Sequence, residues 1–145
     1  MSAERVDVAL KHRAGAFTLD AAFGAPMRGI TGIFGPSGAG KTTLLRCIAG
    51  LSRASGCVRV GETTWQDDAA RIWLPTHARG VGFVAQDPAL FPHLRVRENL
   101  RYGQRRVPSG TATLQENDVV EWLGIAALLN RWPATLSGGE RQRVA

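Results

Sequence analysis

The chain has 145 residues, of which 44% are hydrophobic and 21% charged, and its formal net charge is +6. This length supports one domain with a real core, and the composition is that of an ordinary globular protein. The longest apolar runs are far too short to cross a bilayer, and the charged N-terminus lacks the apolar stretch of a signal peptide. The composition therefore predicts a protein of the cytoplasm.

The basic residues do not form an obvious binding surface. Of 18 basic residues only Lys11 and Lys41 are lysines, and the arginines are scattered apart from short clusters at 95–106 and 141–143. A solvated surface explains this pattern better than a nucleic-acid partner, so no nucleic acid is expected. Cys47 and Cys57 lack metal-like spacing and are expected to be reduced, packed thiols.

The first half of the chain predicts strands around a glycine-rich turn. Alternation in VDVALKH and AFTLDAAF indicates two early strands, and GITGIF, Gly29–Phe34, is typical of a short buried strand. That segment leads into the turn GPSGAG. KTTLLRCIAG then predicts a helix that ends at Gly50. The residues expected on its buried face are Leu44, Leu45, Ile48 and Ala49.

The second half changes from strands to helices. GCVRVGETTW predicts a strand and a turn, and Gly80–Ala85 predicts a buried strand that ends at Gln86. VRENLRYG and LQENDVVEWLGIAALLNRW are typical of helices, with the turn-rich segment RVPSGTAT between them. We therefore expect an α/β core in residues 1–86 and a helical subdomain in residues 87–145.

A phosphate-binding loop is the strongest motif. GPSGAGKT, residues 35–42, matches G-x-x-x-x-G-K-[ST] at every defined position, after an apolar segment and before a helix. Glycines let the backbone approach a phosphate closely, and successive N–H groups form an anion-binding nest. The Lys41 ammonium would reach the terminal phosphates and the Thr42 hydroxyl would bind Mg²⁺. The predicted phosphate-binding residues are Gly35, Pro36, Ser37, Gly38, Ala39, Gly40, Lys41, Thr42 and Thr43.

A second motif lies near residue 140. Ser137-Gly138-Gly139-Glu140 has the S-x-x-E form of a capping box, in which Ser137 caps a helix and Glu140 reaches back to the Ser137 N–H. The two glycines leave the first turn bare, so that a phosphate could lie against it. A well-capped helix without a ligand is the alternative interpretation.

GPSGAGKTT, VAQD and LSGGERQR, in this order, closely resemble the ATP-binding-cassette (ABC) family of transport ATPases, over nearly the whole chain. The resemblance implies a P-loop NTPase fold, ATP and Mg²⁺ as cofactors, and a helical subdomain between Gln86 and the signature motif. It makes Gln86 the catalytic Q-loop residue and, with Thr42, a metal ligand. In this family two cassettes pair head to tail, and the signature of one completes the nucleotide site of the other. The residues implied for that role are Leu136, Ser137, Gly138, Gly139, Glu140 and Gln142.

Within the family the sequence around these motifs is similar to that of the molybdate importers, which implies an ATPase at the cytoplasmic face of the membrane. The stretch LFPHL after Gln86 would then face a transmembrane permease subunit. One departure is Ala85, where family members usually carry a bulky residue. For the aromatic residue that stacks on adenine, both His12 and Phe17 remain open.

The resemblance also implies features that this sequence lacks. In the family a strand ending in an Asp-Glu pair, and later a histidine, follow the signature, whereas this sequence ends at Ala145. Asp87 is a poor substitute, because Pro88 and not a carboxylate follows it. We therefore expect an incomplete chain that lacks the C-terminal part of the core and does not turn over ATP alone. The alternatives are a non-catalytic nucleotide-binding fragment and a DNA-associated ABC ATPase.

Overall fold

The computed structural model describes residues 4–104 and 114–145, and its internal contacts divide the chain into residues 1–82 and 83–145. The first unit holds a sheet and one α-helix, and the described part of the second holds helices and turns. The predicted functional boundary after Gln86 stays a prediction. Among the described residues, no helix combines the length and apolar character needed to cross a membrane.

The sheet of residues 1–82 is antiparallel throughout, with the order β2-β1-β3-β4-β5. The alternation that predicted β1 and β2 is confirmed, since β1 buries Val8 and Leu10 on one face. The predicted strand and turn at GCVRVGETTW form β3 and β4. The strands are β1 (Arg5–Ala14), β2 (Phe17–Pro26), β3 (Ser55–Val60), β4 (Thr63–Asp67) and β5 (Ile72–Trp73).

Helix α1, Lys41–Ala49, packs against the sheet and confirms the predicted helix after the glycine-rich turn. Gly50 ends it with φ 79°, a left-handed conformation that favours glycine. The predicted buried face is wrong at Leu45, which is 46% exposed, whereas Cys47 is fully buried. The face of α1 that carries Leu44 and Cys47 therefore packs against the sheet.

Neither predicted buried strand around Phe34 or Val84 is a strand in the structure. In Gly29–Phe34, Ile30 is fully exposed and Phe34 is 94% exposed. Gly80–Ala85 likewise has no regular structure, and Val84 is exposed. A strand needs a hydrogen-bonded neighbour, and among the described residues neither segment pairs with one.

The described part of residues 83–145 packs short helices around its own apolar cluster. The helices are α2 (Val96–Gln104), α3 (Glu116–Trp122) and α4 (Gly138–Val144), with 3₁₀ turns at Ala126–Leu128 and Pro133–Thr135. The predicted helix at VRENLRYG is confirmed as α2. The long helix predicted over 114–132 is shorter, because Gly124 adopts φ 61° soon after α3. All of RVPSGTAT, residues 106–113, lies outside the described residues, as does Arg105.

Candidate functional site

The glycine-rich loop of residues 35–40 takes the backbone conformation that its glycines permit. Gly38 and Gly40 have φ values of 80° and 88°, in the left-handed region that side chains with a Cβ disfavour. The Ala39 N–H donates to the Pro36 carbonyl at 3.3 Å and closes a tight turn. The loop is exposed at every residue from Gly35 to Ala39, so its backbone is accessible to a ligand.

The Lys41 side chain folds back over this loop. Its Nζ donates to the carbonyls of Gly35 and Pro36, at 2.8 and 2.7 Å. The ammonium group therefore lies beside the loop backbone at the start of α1. A positive charge in this place suits an anion bound by the same loop.

The N-terminus of α1 offers donors to an anion. Gly40 is its N-cap residue, makes no side-chain capping bond, and no acidic residue occupies the first turn. The partial positive charge of a helix N-terminus is thus left without a protein carboxylate. The exposed Thr42 hydroxyl lies in the same turn. Taken with the open loop and Lys41, these donors fit a polyphosphate, and the Thr42 oxygen fits a ligand to its Mg²⁺ ion.

The loop rests on strand β2 through Gly40. A Cβ placed on Gly40 would lie 2.5 Å from Cζ of Phe17 and 3.4 Å from Cδ1 of Leu19. The Phe17 ring therefore lies beneath the loop and supports it. The ring is partly buried and packs against the hydrophobic core. His12 is half-buried, and its Nδ1 lies 2.7 Å from the Arg53 carbonyl oxygen. The structure therefore places Phe17 next to the predicted phosphate site. For His12 it shows a contact with Arg53 and none with the loop.

In the second unit, Gln86 is exposed and precedes a turn with aromatic side chains. The Phe91 ring packs on Tyr102, with ring centroids 4.1 Å apart, and edge-on against His93 at 5.9 Å. Asn99 of α2 stabilises this turn: its Oδ1 accepts from the Phe91 N–H at 2.8 Å and its Nδ2 donates to the carbonyl of Leu94 at 2.9 Å. Sequence reasoning missed Asn99, since an isolated asparagine on a helix carries no motif.

The capping box predicted at Ser137 is confirmed. The Ser137 Oγ accepts from the Glu140 N–H at 3.3 Å, and the Glu140 Oε2 accepts from the Ser137 N–H at 2.7 Å. The Ser137 N–H bond is the main cause that lowers the pKa of the Glu140 carboxyl. A Cβ added to Gly138 or Gly139 would meet nothing within 4 Å. The first turn of α4 is therefore open, as the glycines predicted.

Arg131 extends this capping box, which the sequence did not predict. Its Nη1 lies 3.3 Å from the Glu140 Oε1, and its Nε lies 3.3 Å from the Thr135 hydroxyl. Leu136 is buried beside them, whereas Gln142 is exposed. The signature residues thus combine one apolar anchor with exposed glycines and an exposed amide.

Comparison with known proteins assigns the family. The ABC transporter family matches residues 20–145 of the sequence. The chain belongs to the ABC transporter family. Its resemblance to ABC ATPases and the expected P-loop NTPase fold are thereby confirmed. The roles of individual motif residues remain predictions.

Its relatives include importer subunits. A molybdenum import ATP-binding protein ModC 2 of Bradyrhizobium diazoefficiens is 54% identical over 97% of this chain and 15% of its own length. A ModC of Rhodobacter capsulatus is 56% identical over 92% of this chain and 36% of its own length. This chain therefore spans between 15% and 37% of the length of these curated relatives.

A solved ATP-binding cassette has the same fold. This dimeric structure, in a post-hydrolysis state with bound ADP and Pi, superposes with a TM-score of 0.69 and 25% sequence identity. The match covers 96% of this chain and 66% of that one. The fold expected for an ABC ATPase is therefore present although the described sheet is entirely antiparallel.

Proposed function

We propose that this chain is part of the ATP-binding subunit of an ABC importer, and that it binds Mg²⁺·ATP through residues 35–43, the glycine-rich loop and the first turn of α1. The observation that carries the proposal is the Lys41 ammonium, 2.8 and 2.7 Å from loop carbonyls beside an uncapped helix N-terminus. Bound phosphates would replace those carbonyls as partners of the ammonium. Loop N–H groups would hold the polyphosphate chain, and the Thr42 hydroxyl would hold the metal ion.

The proposed solute is molybdate or a related oxyanion. The support is that relatives 54% and 56% identical to this chain are named molybdenum import ATP-binding proteins. Those names favour import over the DNA-associated alternative. The solute would pass through a transmembrane permease, so this chain would act at the cytoplasmic face of the membrane as a peripheral subunit.

Two further surfaces receive roles in this proposal. The open first turn of α4, with the capping box of Ser137 and Glu140, would complete the nucleotide site of a second ATPase subunit in a head-to-tail dimer. The turn after Gln86, stabilised by Asn99, would dock on the permease. Gln86 itself would contact Mg²⁺ and the attacking water. A dimeric ATP-binding cassette of similar fold supports the pairing.

Mg²⁺ would neutralise charge on the transferred phosphoryl group, while the chain itself positions that group. Lys41 and the loop N–H groups stabilise negative charge on the terminal phosphates, which is the main requirement of phosphoryl transfer. The sequence contains no adjacent Asp-Glu pair. We therefore propose that the 145-residue chain binds ATP and does not turn it over by itself.

Lys41→Ala tests the binding proposal, with Lys11→Ala as a matched control. Lys11 is the only other lysine, lies on β1, and pairs with Asp20 at 3.1 Å on an exposed surface. Losing charge-assisted bonds worth about 1.5–3 kcal/mol should weaken Mg²⁺·ATP binding about 10- to 150-fold in Lys41→Ala. Titration calorimetry measures both variants. Equal affinity of Lys41→Ala and the parent contradicts the proposed site.

Two assays test the remaining claims. Phosphate release by the purified chain should not exceed that of Lys41→Ala, and turnover above this level contradicts the proposed lack of activity. In cells that carry Lys41→Ala in the gene for this protein, molybdenum content at limiting molybdate should fall. Unchanged molybdenum content would contradict molybdate as the solute.

A further inference from the structure

Arg79 is a buried arginine at the C-terminal end of α1. Its side chain is embedded, with the residue only 3% exposed, and its pKa is lowered because burial disfavours the charged form. Nη1 donates to the Ile48 carbonyl at 2.6 Å, and Nε donates to the Leu74 carbonyl at 2.9 Å. Longer contacts reach the carbonyls of Cys47 at 3.4 Å and Trp65 at 3.5 Å. Among the described residues no carboxylate forms an ion pair with it.

Helix carbonyls and aromatic rings take the place of that carboxylate. Cys47 and Ile48 lie in the last turn of α1, where the helix dipole is negative. The Arg79 guanidinium also lies 4.7 Å from the ring centroid of Trp73 and 5.7 Å from that of Trp65. Cation–π attraction to indole is strengthened by such desolvation. The guanidinium thus joins α1 to β4 and β5.

Two neighbours show that this end of α1 is built around Arg79. A Cβ on Gly50 would lie 2.7 Å from the Arg79 Cζ, so the guanidinium occupies the space that a side chain at 50 would need. Thr76, in the 3₁₀ turn Thr76–Ala78, donates its hydroxyl to the Gly50 carbonyl at 2.7 Å. Residues 76–79 therefore supply two side-chain donors to the C-terminal end of the helix.

We propose that Arg79 is a positioning residue for the nucleotide site, acting through α1. The helix has nine residues and is therefore about 13 Å long, with Lys41 and Thr42 at the end opposite Arg79. A tilt of about 10° at the clamped end would move the other end by about 2 Å. Hydrogen bonds to a phosphate hold only within a few tenths of an ångström, so such a shift would break them. The inference rests on the proposed ATP binding.

Arg79→Lys and Arg79→Met test this role by calorimetry with Mg²⁺·ATP. The lysine ammonium keeps the charge but lacks the planar fork that serves Ile48 and Leu74 together, and methionine keeps only the apolar stem. Arg53→Met is the matched control, because Arg53 stacks on the same Trp73 ring at 4.2 Å. Because the shift would weaken charge-assisted bonds to the phosphates, we expect the Kd to rise about tenfold or more in Arg79→Met, less in Arg79→Lys, and to be unchanged in Arg53→Met.

The readout separates positioning from stability. Irreversibly misfolded chains lower the number of binding sites per chain, and reversible unfolding raises the apparent Kd only by the inverse of the folded fraction, which urea unfolding measures. A misplaced loop raises the Kd beyond that factor. If Arg79→Met does not fold, Thr76→Val decides, since it removes only the hydroxyl bond to Gly50: a raised Kd supports the role and an unchanged one overturns it. Equal Kd values for the parent and the folded Arg79 variants overturn the role. A parent that binds no ATP overturns the proposed function and, with it, this role in binding.

Discussion

Gly40→Ala should destabilise the chain by more than backbone strain alone. Gly40 has φ 88°, and a left-handed conformation costs a residue with a Cβ about 1–2 kcal/mol. The new Cβ would also lie 2.5 Å from Cζ of Phe17, under the beginning of α1. Such overpacking typically costs another 1–3 kcal/mol, so we expect the free energy of unfolding to fall by about 2–5 kcal/mol.

Gly38→Ala is the matched control for this prediction. Gly38 has a similar φ of 80°, but a Cβ there would meet nothing within 4 Å, so only the strain of about 1–2 kcal/mol is expected. Urea unfolding followed by circular dichroism measures both free energies of unfolding. Phe17→Leu should recover part of the loss in Gly40→Ala and none in Gly38→Ala. Equal losses in the two glycine variants would refute the support of the loop by Phe17.

Three further predictions concern other parts of the chain. Because the pKa of Glu140 is lowered from 4.5, its capping box stabilises α4 above that pH, and this contribution is lost as the pH falls through the folded-state pKa. Protection of the α4 amides from hydrogen exchange should fall over the same pH range, and in Glu140→Gln it should not. Exposed apolar side chains promote association, so we expect the isolated chain to self-associate. In sedimentation experiments Phe34→Ser should reduce this association, because Phe34 is 94% exposed, and Leu45→Ser, at a position 46% exposed, should reduce it less; an equal effect of the two would contradict this expectation. Burial raises the pKa of both thiols, so access decides their reactivity: iodoacetamide should label the half-buried Cys57 before the fully buried Cys47. Equal labelling rates in the folded chain would contradict the packing of α1.

The sequence by itself determined the local features of this protein. Strands β1 and β2 follow from alternation, α1 from its position after the glycine-rich loop, and the bonds between Ser137 and Glu140 from a four-residue spacing. Each of these depends on residues a few positions apart, so composition and periodicity contain the information. The family resemblance rested on the same short motifs, and the match over residues 20–145 confirms it.

Only the tertiary structure decided the features that join distant segments. Gly29–Phe34 has the residues of a buried strand, yet Phe34 is exposed, because a strand forms where another strand pairs with it. Phe17 supports Gly40, and Arg79 reaches the end of α1 from 31 residues away. No local pattern marks an arginine whose partners are backbone carbonyls, since every residue carries one and folding alone determines which of them the side chain can reach.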